Sequence, residues 1–140
     1  DYKCSCESSL KKHIKICTGE FNGSSSELKT VNFLKTKNIK YIYDGSHNSL
    51  KNDQGKCLRF DFIIPLNNNQ YKMIELDGQH HFSPVCFGGI SQERADKIFE
   101  KQQRHDQIKN EYCKTNGYPL LRIKYTDFDK IDKLVELFLN

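Results

Sequence analysis

The stretch MIELDGQHHF, residues 73–82, combines the pattern of a buried strand with a cluster of acidic and histidine side chains. Side chains alternate between the two faces of a strand, so Glu75 and Asp77 share one face and the apolar residues share the other. The glycine that follows allows a sharp turn. Two crowded carboxylates followed by two imidazoles repel one another unless they share a cation or a proton. The stretch therefore predicts a strand that ends in a functional site.

Patterns on either side of this stretch indicate the order helix, three strands, helix, strand, helix. The predicted helices run from an S-x-x-E capping box at 24–27 to about residue 37, over residues 91–113 and over residues 131–139, and the predicted strands cover residues 39–43, 58–64, 71–77 and 120–125. The residues expected to face the core from the first two helices are Leu28, Val31, Leu34, Ala95, Ile98, Phe99, Ile108 and Tyr112. Because the long helix can cross over to a parallel strand, we expect an α/β fold with one mixed sheet and helices on its faces. The polar PLNNNQ segment, between the second and third strands, is short enough for a hairpin.

The chain has 140 residues, which is enough for one core-bearing domain, expected over residues 24–140, and a small appendage over residues 1–20. No apolar run approaches the ~20 residues of a membrane span, so we expect no membrane partner. The net charge of +4 and the pI of about 8.7 are compatible with a polyanionic partner. The first residue is Asp rather than Met, which suggests a fragment or a processed chain.

The six cysteines could form three disulfides, but a core of this size needs none. We therefore expect an intracellular, reducing environment. Half of them lie near the start of the chain, in the arrangement C-x-C-x6-H-x3-C formed by Cys4, Cys6, His13 and Cys17. Four such ligands suit tetrahedral Zn²⁺, and a short helix would bring the last two to one face. This pattern favours a small structural zinc finger over a flexible basic leader with incidental cysteines.

The strand LRFDFIIP places a carboxylate, Asp61, among apolar residues. A charged side chain inside a strand is costly unless it is paired or bound to a metal. If this strand pairs with the one that carries Glu75 and Asp77, the carboxylates of all three residues can converge on one edge of the sheet. Such oxygen ligands suit Mg²⁺. The alternative is that Asp61 forms an ion pair with Arg59 or Lys72.

Three further residues have both a structural and a chemical interpretation. Glu27 can complete the capping box, deliver a carboxylate to the acidic cluster, or do both. His81 can be a surface histidine or a base that activates water, and its neighbour His80 leaves that assignment open. Asp106, in the polar helix segment RHDQIKNEY, can be solvated or can orient a histidine.

In their order and spacing, these elements resemble the family related to the very-short-patch-repair (Vsr) endonucleases, including its phage and viral homing-endonuclease branch with the EDxHD signature. The resemblance covers about residues 24–126 and is carried by Glu27, RFDF with Asp61, IELDGQHHF, RHDQIKN with Asp106, and GYPLLRIKY. It implies a restriction-endonuclease-like fold with an αβββαβ core. It also implies Mg²⁺-dependent cleavage of DNA phosphodiester bonds.

Position by position, the resemblance assigns the signature residues as Glu27, Asp61, the variable Leu76, His81 and Asp106. It implies that Asp61 and the main-chain carbonyl of Leu76 bind Mg²⁺ and that His81 is the base. The chain departs from the repair enzymes because Glu75 and Asp77 flank the variable position and because their internal zinc pattern is not clearly present. The Glu-x-Asp pair also resembles the E-x-K element of the wider superfamily, with its lysine replaced, which implies that Glu75 shares the metal.

The sequence therefore predicts a metal-dependent DNA endonuclease, of a homing or mobile-element type, in the cytoplasm or nucleus of a cell, including a virus- or phage-infected host. Loop lysines such as Lys51 and Lys56 would add phosphate contacts that position DNA without reading its sequence. The alternatives are a nuclease for RNA or for mismatched or branched DNA, and a DNA-binding module without catalysis. The oligomeric state stays open.

Overall fold

The computed structural model describes residues 21–140, apart from the side chain of Phe87. The predicted zinc ligands Cys4, Cys6, His13 and Cys17 lie outside the described residues. The main elements are α1 (Ser25–Thr36), β1 (Ile42–Gly45), β2 (Phe60–Pro65), β3 (Tyr71–Asp77), α2 (Gln92–Asn116), β4 (Leu120–Lys124) and α3 (Ile131–Leu139). Short 3₁₀ turns cover Gln79–His81, Phe87–Gly89 and Tyr125–Lys130. The predicted order of helices and strands is confirmed.

The four strands form one mixed sheet in the order β1-β2-β3-β4. Strand β2 pairs antiparallel with both β1 and β3, whereas β3 and β4 are parallel. The parallel pair needs a long crossover, and α2 provides it. The expected mixed α/β sheet is therefore confirmed.

Helices cover both faces of this sheet. On one face α1 and α3 pack against a core that includes Val31, Leu34, Phe62, Ile74, Leu76, Ile123 and Val135. On the other face the C-terminal half of α2 packs against a second core that includes Phe60, Ile63, Met73 and Cys113. Ile74 and Leu76 belong to the first core, so Glu75 and Asp77 point toward the face covered by α2, as strand alternation predicts.

Two predicted core residues of the helices are exposed instead. Leu28 is 41% exposed, whereas Ser26 and Thr30 lie on the buried face of α1. Leu28 is two residues from each of them, and two residues correspond to about 200° around a helix, so Leu28 points away from the core. Ile98 is 51% exposed. The 25 residues of α2 span about 37 Å, whereas the seven residues of β3 span about 23 Å, so the first half of α2 extends beyond the sheet.

The strand boundaries differ from the prediction most strongly at β1. After α1 ends, the chain turns through Asn38 with φ 54°, and the N–H of Ile39 still bonds to the carbonyl of Leu34, so β1 begins only at Ile42. The hairpin between β2 and β3 forms as expected, with Asn68 and Asn69 both in the left-handed region. In the described part of the chain, no helix combines the length and apolarity that crossing a membrane requires.

Candidate active site

A cleft of ≈ 400 Å³ opens at the end of the sheet where β2 and β3 stop pairing. The last paired residues are Phe62 and Ile74, so Asp61 and Glu75 are the next residues along the two strands. Both line the cleft, together with Glu27 of α1. The structure thus brings together three of the carboxylates that the sequence analysis singled out.

Asp61 and Glu75 replace the missing rung of the β ladder with side-chain hydrogen bonds. The Oδ2 atom of Asp61 accepts a hydrogen bond from the N–H of Leu76 at 2.7 Å. The Oε1 atom of Glu75 accepts one from the N–H of Asp61 at 3.1 Å. In an extended strand the N–H and C=O of one residue point to the same side, so the carbonyl of Leu76 also faces the gap between β2 and β3.

The environment of this pair disfavours two negative charges. Burial and, next, the charge of Glu75 raise the pKa of Asp61 to about 7. Burial also raises the pKa of Glu75, although the ammonium of Lys109, 2.7 Å from Oε2, acts in the opposite direction. Binding of a cation between two carboxylates that repel each other would lower the free energy of the site.

The alternative partners considered for Asp61 have other contacts. Arg59 donates a hydrogen bond to Asp44 at 2.6 Å. Lys72 donates to the main-chain carbonyls of Phe138 and Leu139 at the end of α3. The cation whose charge acts on Asp61 is instead Lys109.

Lys109 is a member of the site that sequence reasoning missed. Lys109 lies on α2 and is only 9% exposed, and its Nζ atom lies 5.6 Å from the centroid of the Phe60 ring. The polar segment KQQRHDQIKNEY resembles a solvated helix face. The available signal was spacing, because Lys109 precedes the buried Cys113 by four residues and therefore shares its face.

Glu27 forms the predicted capping box and also lines the cleft with Asp61 and Glu75. Its Oε2 atom accepts from the N–H of Ser24 at 2.5 Å, and Ser24 caps α1 in return, which completes the capping box. Its Oε1 atom accepts a hydrogen bond from the hydroxyl of Tyr43 at 2.9 Å. Burial, followed by this hydrogen bond, raises the pKa of Tyr43, so the phenol stays protonated as a donor. The carboxylate is thereby held at the wall of the cleft.

His81 contacts Asp106, the orienting partner that was expected for a histidine. Its Nδ1 atom lies 2.8 Å from Oδ2 of Asp106 and 3.5 Å from Oδ1 of Asp77. A carboxylate only accepts, so Nδ1 carries the hydrogen and the neutral ring presents Nε2 as an acceptor. Burial alone would lower the pKa of His81, but the hydrogen bond and the charge of Asp106 outweigh it and raise that pKa.

Arg122 of β4 completes this second group and was also missed. Its Nη1 atom lies 2.8 Å from Oδ1 of Asp77 and 3.4 Å from Oδ1 of Asp106. Candidate metal-ligand atoms of Asp77, His81 and Asp106 lie within 4.8 Å of one another. The guanidinium of Arg122 supplies one positive charge between the two carboxylates of this group. The signal was the basic residue at the centre of the apolar strand LLRIK, in register with Glu75.

His80 differs from His81 in its environment. Its ring lies 4.3 Å from that of His81, and both side chains line the cleft. Burial and the neighbouring His81 lower the pKa of His80. The structure therefore provides one histidine held by carboxylates and one that stays neutral at pH 7.

The family described as "Protein of unknown function (DUF2726)" matches residues 7–139 of the chain. The chain therefore belongs to this family. The match begins after Cys4 and Cys6 and includes every residue of the site described above. No curated protein and no solved structure matches the chain significantly.

Proposed function

We propose that this member of the DUF2726 family is a Mg²⁺-dependent endonuclease of the Vsr-like, EDxHD type that hydrolyses DNA phosphodiester bonds. The observation that carries the proposal is the convergence of Asp61 and Glu75 at an open strand end, with the His81–Asp106 pair at the same cleft. The element order αβββαβ with one mixed sheet agrees with the restriction-endonuclease-like core that this assignment requires.

A divalent cation fits the donors at the base of the cleft. The carboxylates of Asp61 and Glu75 and the carbonyl of Leu76 are hard oxygen ligands of the kind that Mg²⁺ prefers. Three carboxylates line the cleft, and Lys109 forms an ion pair with one of them, Glu75, so negative charge is in excess. Around Asp77 and Asp106, in contrast, Arg122 contacts both carboxylates, so less negative charge is left unpaired there. A bound Mg²⁺ would stabilise negative charge on the phosphate during hydrolysis.

The protein's own contribution begins with proton transfer. His81, with Nδ1 held by Asp106, accepts a proton from the attacking water at Nε2. The negative charge of Asp106 stabilises the imidazolium that forms, as a carboxylate does for the histidine of other hydrolases. Arg122 keeps Asp106 and Asp77 in place. The pair thus needs no rearrangement when the proton moves.

Lys109 and Glu27 complete the proposed arrangement. The ammonium of Lys109 orients the carboxylate of Glu75 and places a second positive charge at the cleft, where phosphate oxygens would lie. Glu27, held by Tyr43, closes the opposite wall. A module that only binds DNA has no use for buried carboxylates beside a phosphate, because they repel it.

The proposal is tested by incubating supercoiled plasmid with the purified protein in Mg²⁺ or in EDTA. We expect nicked or linear DNA in Mg²⁺ and intact plasmid in EDTA and with Asp61→Asn. The matched control is Asp53→Asn, which changes an exposed carboxylate that pairs with Arg104 and does not line the cleft. Parallel reactions with single-stranded RNA and with a mismatched duplex distinguish the alternative substrates. Intact substrate in every Mg²⁺ reaction would leave the inactive DNA-binding module as the better assignment.

A further inference from the structure

Two aromatic rings are exposed together beside the cleft. Phe82 is 42% exposed and Tyr125 is 43% exposed. Their ring centroids lie 6.0 Å apart with an interplanar angle of 50°. The ammonium of Lys124 lies 5.2 Å from the centroid of the Phe82 ring. We call these three side chains the aromatic platform.

The aromatic platform lies at the same end of the sheet as the proposed active site. Phe82 directly follows His81, which lines the cleft. Lys124 is the register partner of Asp77 in the parallel pair β3–β4. Tyr125 begins the 3₁₀ turn whose Phe128 lines the cleft. Two separate segments of the chain therefore place rings and a cation next to the reacting groups.

Packing of the two hydrophobic cores does not account for the position of these exposed rings. Each exposed aromatic ring leaves apolar area in contact with water, which is unfavourable. Neither ring belongs to the buried part of either core. Because the rings are tilted by 50°, a partner with a flat apolar face would stack on one ring and contact the edge of the other, and a partner with negative charge would pair with Lys124.

We propose that the aromatic platform stacks an unpaired nucleobase of single-stranded DNA and that Lys124 contacts a phosphate of the same strand. The proposal deepens the proposed function and rests on it. A single strand exposes the flat face of each base and carries a phosphate per nucleotide, and aromatic rings flanked by cations are how proteins bind it. A duplex hides these faces by stacking, so it matches the platform less well.

The test measures binding in EDTA, so that it does not depend on cleavage. A fluorescently labelled single-stranded oligonucleotide and its duplex are titrated with wild-type protein and with Phe82→Ala, Phe82→Tyr and Lys124→Ala. We expect Phe82→Ala to raise the single-strand Kd at least about fivefold, since one stacked base is worth ~1–3 kcal/mol. We expect Phe82→Tyr to bind like the wild type and duplex binding to change less than about twofold.

The matched control is Leu66→Ala. Leu66 is 44% exposed in the hairpin that follows β2, at the opposite end of that strand from Asp61, so its loss should leave single-strand binding unchanged. A 2-aminopurine base in the oligonucleotide provides a direct readout, because its fluorescence is quenched when it stacks on a ring. We expect quenching by wild type and by Phe82→Tyr, and much less by Phe82→Ala.

Equal loss of single-strand and duplex binding in Phe82→Ala, or no loss in either, would overturn the platform. So would an absence of single-strand binding by the wild type. If the plasmid stays intact in Mg²⁺ while single-strand binding depends on Phe82, the platform stands and the proposed cleavage fails. If the plasmid is cut and Phe82→Ala binds normally, the proposed function stands and the platform fails.

Discussion

The carboxylate of Glu75 accepts a hydrogen bond from the main-chain N–H of Asp61 at 3.1 Å, while that of Asp61 accepts one from the residue after Glu75 at 2.7 Å. Each acidic side chain thus supports the strand that carries the other. A substitution at either position changes the pairing of β2 with β3 as well as the charge of the cleft. Stability and activity therefore have to be measured together in variants of this site.

Asp61→Asn should abolish cleavage and, without metal, stabilise the protein at pH 8. The pKa of Asp61 in the folded protein is raised to about 7, above its value in the unfolded chain. The contribution of protonated Asp61 to the free energy of unfolding is therefore fully present at low pH and is lost as pH rises through 7. The ionised carboxylate therefore costs a few kcal/mol at pH 8, at about 1.4 kcal/mol per pKa unit. Thermal unfolding in EDTA should show a higher Tm for the variant at pH 8 and no gain at pH 4.

The same experiment with Mg²⁺ tests the metal site without an activity assay. Mg²⁺ should raise the Tm of the wild type at pH 8 and leave that of Asp61→Asn unchanged, because binding to the folded state alone stabilises it. Asp53→Asn should respond to Mg²⁺ like the wild type. If Mg²⁺ raised the Tm of Asp61→Asn as much as that of the wild type, the cation would bind elsewhere.

His81→Ala should reduce the cleavage rate by roughly 10² to 10⁴, the usual contribution of a general base. His80→Ala should lose much less, and Asp106→Asn should fall between the two, because the imidazole remains while its orientation weakens. Single-turnover rates with plasmid at saturating Mg²⁺ provide the comparison. An inactive His80 variant beside an active His81 variant would reverse the assignment, and unchanged rates in both would leave proton transfer to other groups.

The pH dependence of the rate distinguishes a base from a residue that only supports the fold. The rate should rise with pH through an apparent pKa above ~6.5, because only the neutral ring accepts a proton and the contact with Asp106 raises the pKa of His81. In Asp106→Asn this apparent pKa should move down. A profile that is the same in both proteins would show that His81 does not titrate in the rate-limiting step.

Lys109→Met should be strongly destabilising, by about 3–5 kcal/mol, because it leaves Glu75 buried without its cation. The double variant Lys109→Met with Glu75→Gln should lose clearly less than the sum of the single variants. Urea unfolding in EDTA measures the free energy of unfolding of the wild type, the two single variants and the double variant. Lys97→Met is the matched control, since Lys97 forms an exposed ion pair with Glu93 on the same helix and its loss should barely move the midpoint.

Purified protein should carry about one zinc ion per chain, bound by Cys4, Cys6, His13 and Cys17. Elemental analysis of unchelated protein measures it, and Cys4→Ala or His13→Ala should remove the metal. Cys57→Ala provides the control, since Cys57 is an exposed free thiol in the described part of the chain. Zinc content near zero in the wild type would favour the basic leader instead.

The order of elements and the meeting of Asp61 with Glu75 were predictable because both follow from local rules. Strand alternation places a carboxylate on a known face, and adjacent strands bring such faces together. The helix phase was less predictable: Leu28 and Ile98 are apolar at plausible positions, but α1 presents Ser26 and Thr30 to the core and α2 extends past the sheet. Which face of a helix is buried depends on the elements that pack against it in the tertiary structure.

The partners of the acidic residues could not be read from the sequence. Lys109 and Arg122 are 34 and 45 residues away from Glu75 and Asp77, the carboxylates that they bind. A lysine in a polar helix and an arginine in a strand each have many possible partners until the tertiary structure brings one close. The end of the β2–β3 ladder, which creates the cleft, likewise depends on how the strands diverge in three dimensions.

The parallel pairing of β3 with β4 has a consequence for how the chain folds. The hairpin of β2 and β3 involves neighbouring segments, but β4 joins only after the chain has closed the long loop that contains α2. Such non-local closure is slow compared with hairpin formation. We therefore expect Asp61 and Glu75 to meet early in refolding and Lys109 and Arg122 to join them later. If so, the acidic pair forms before its counter-charges, and acidic solution, which protonates the pair, should speed the early stage of refolding.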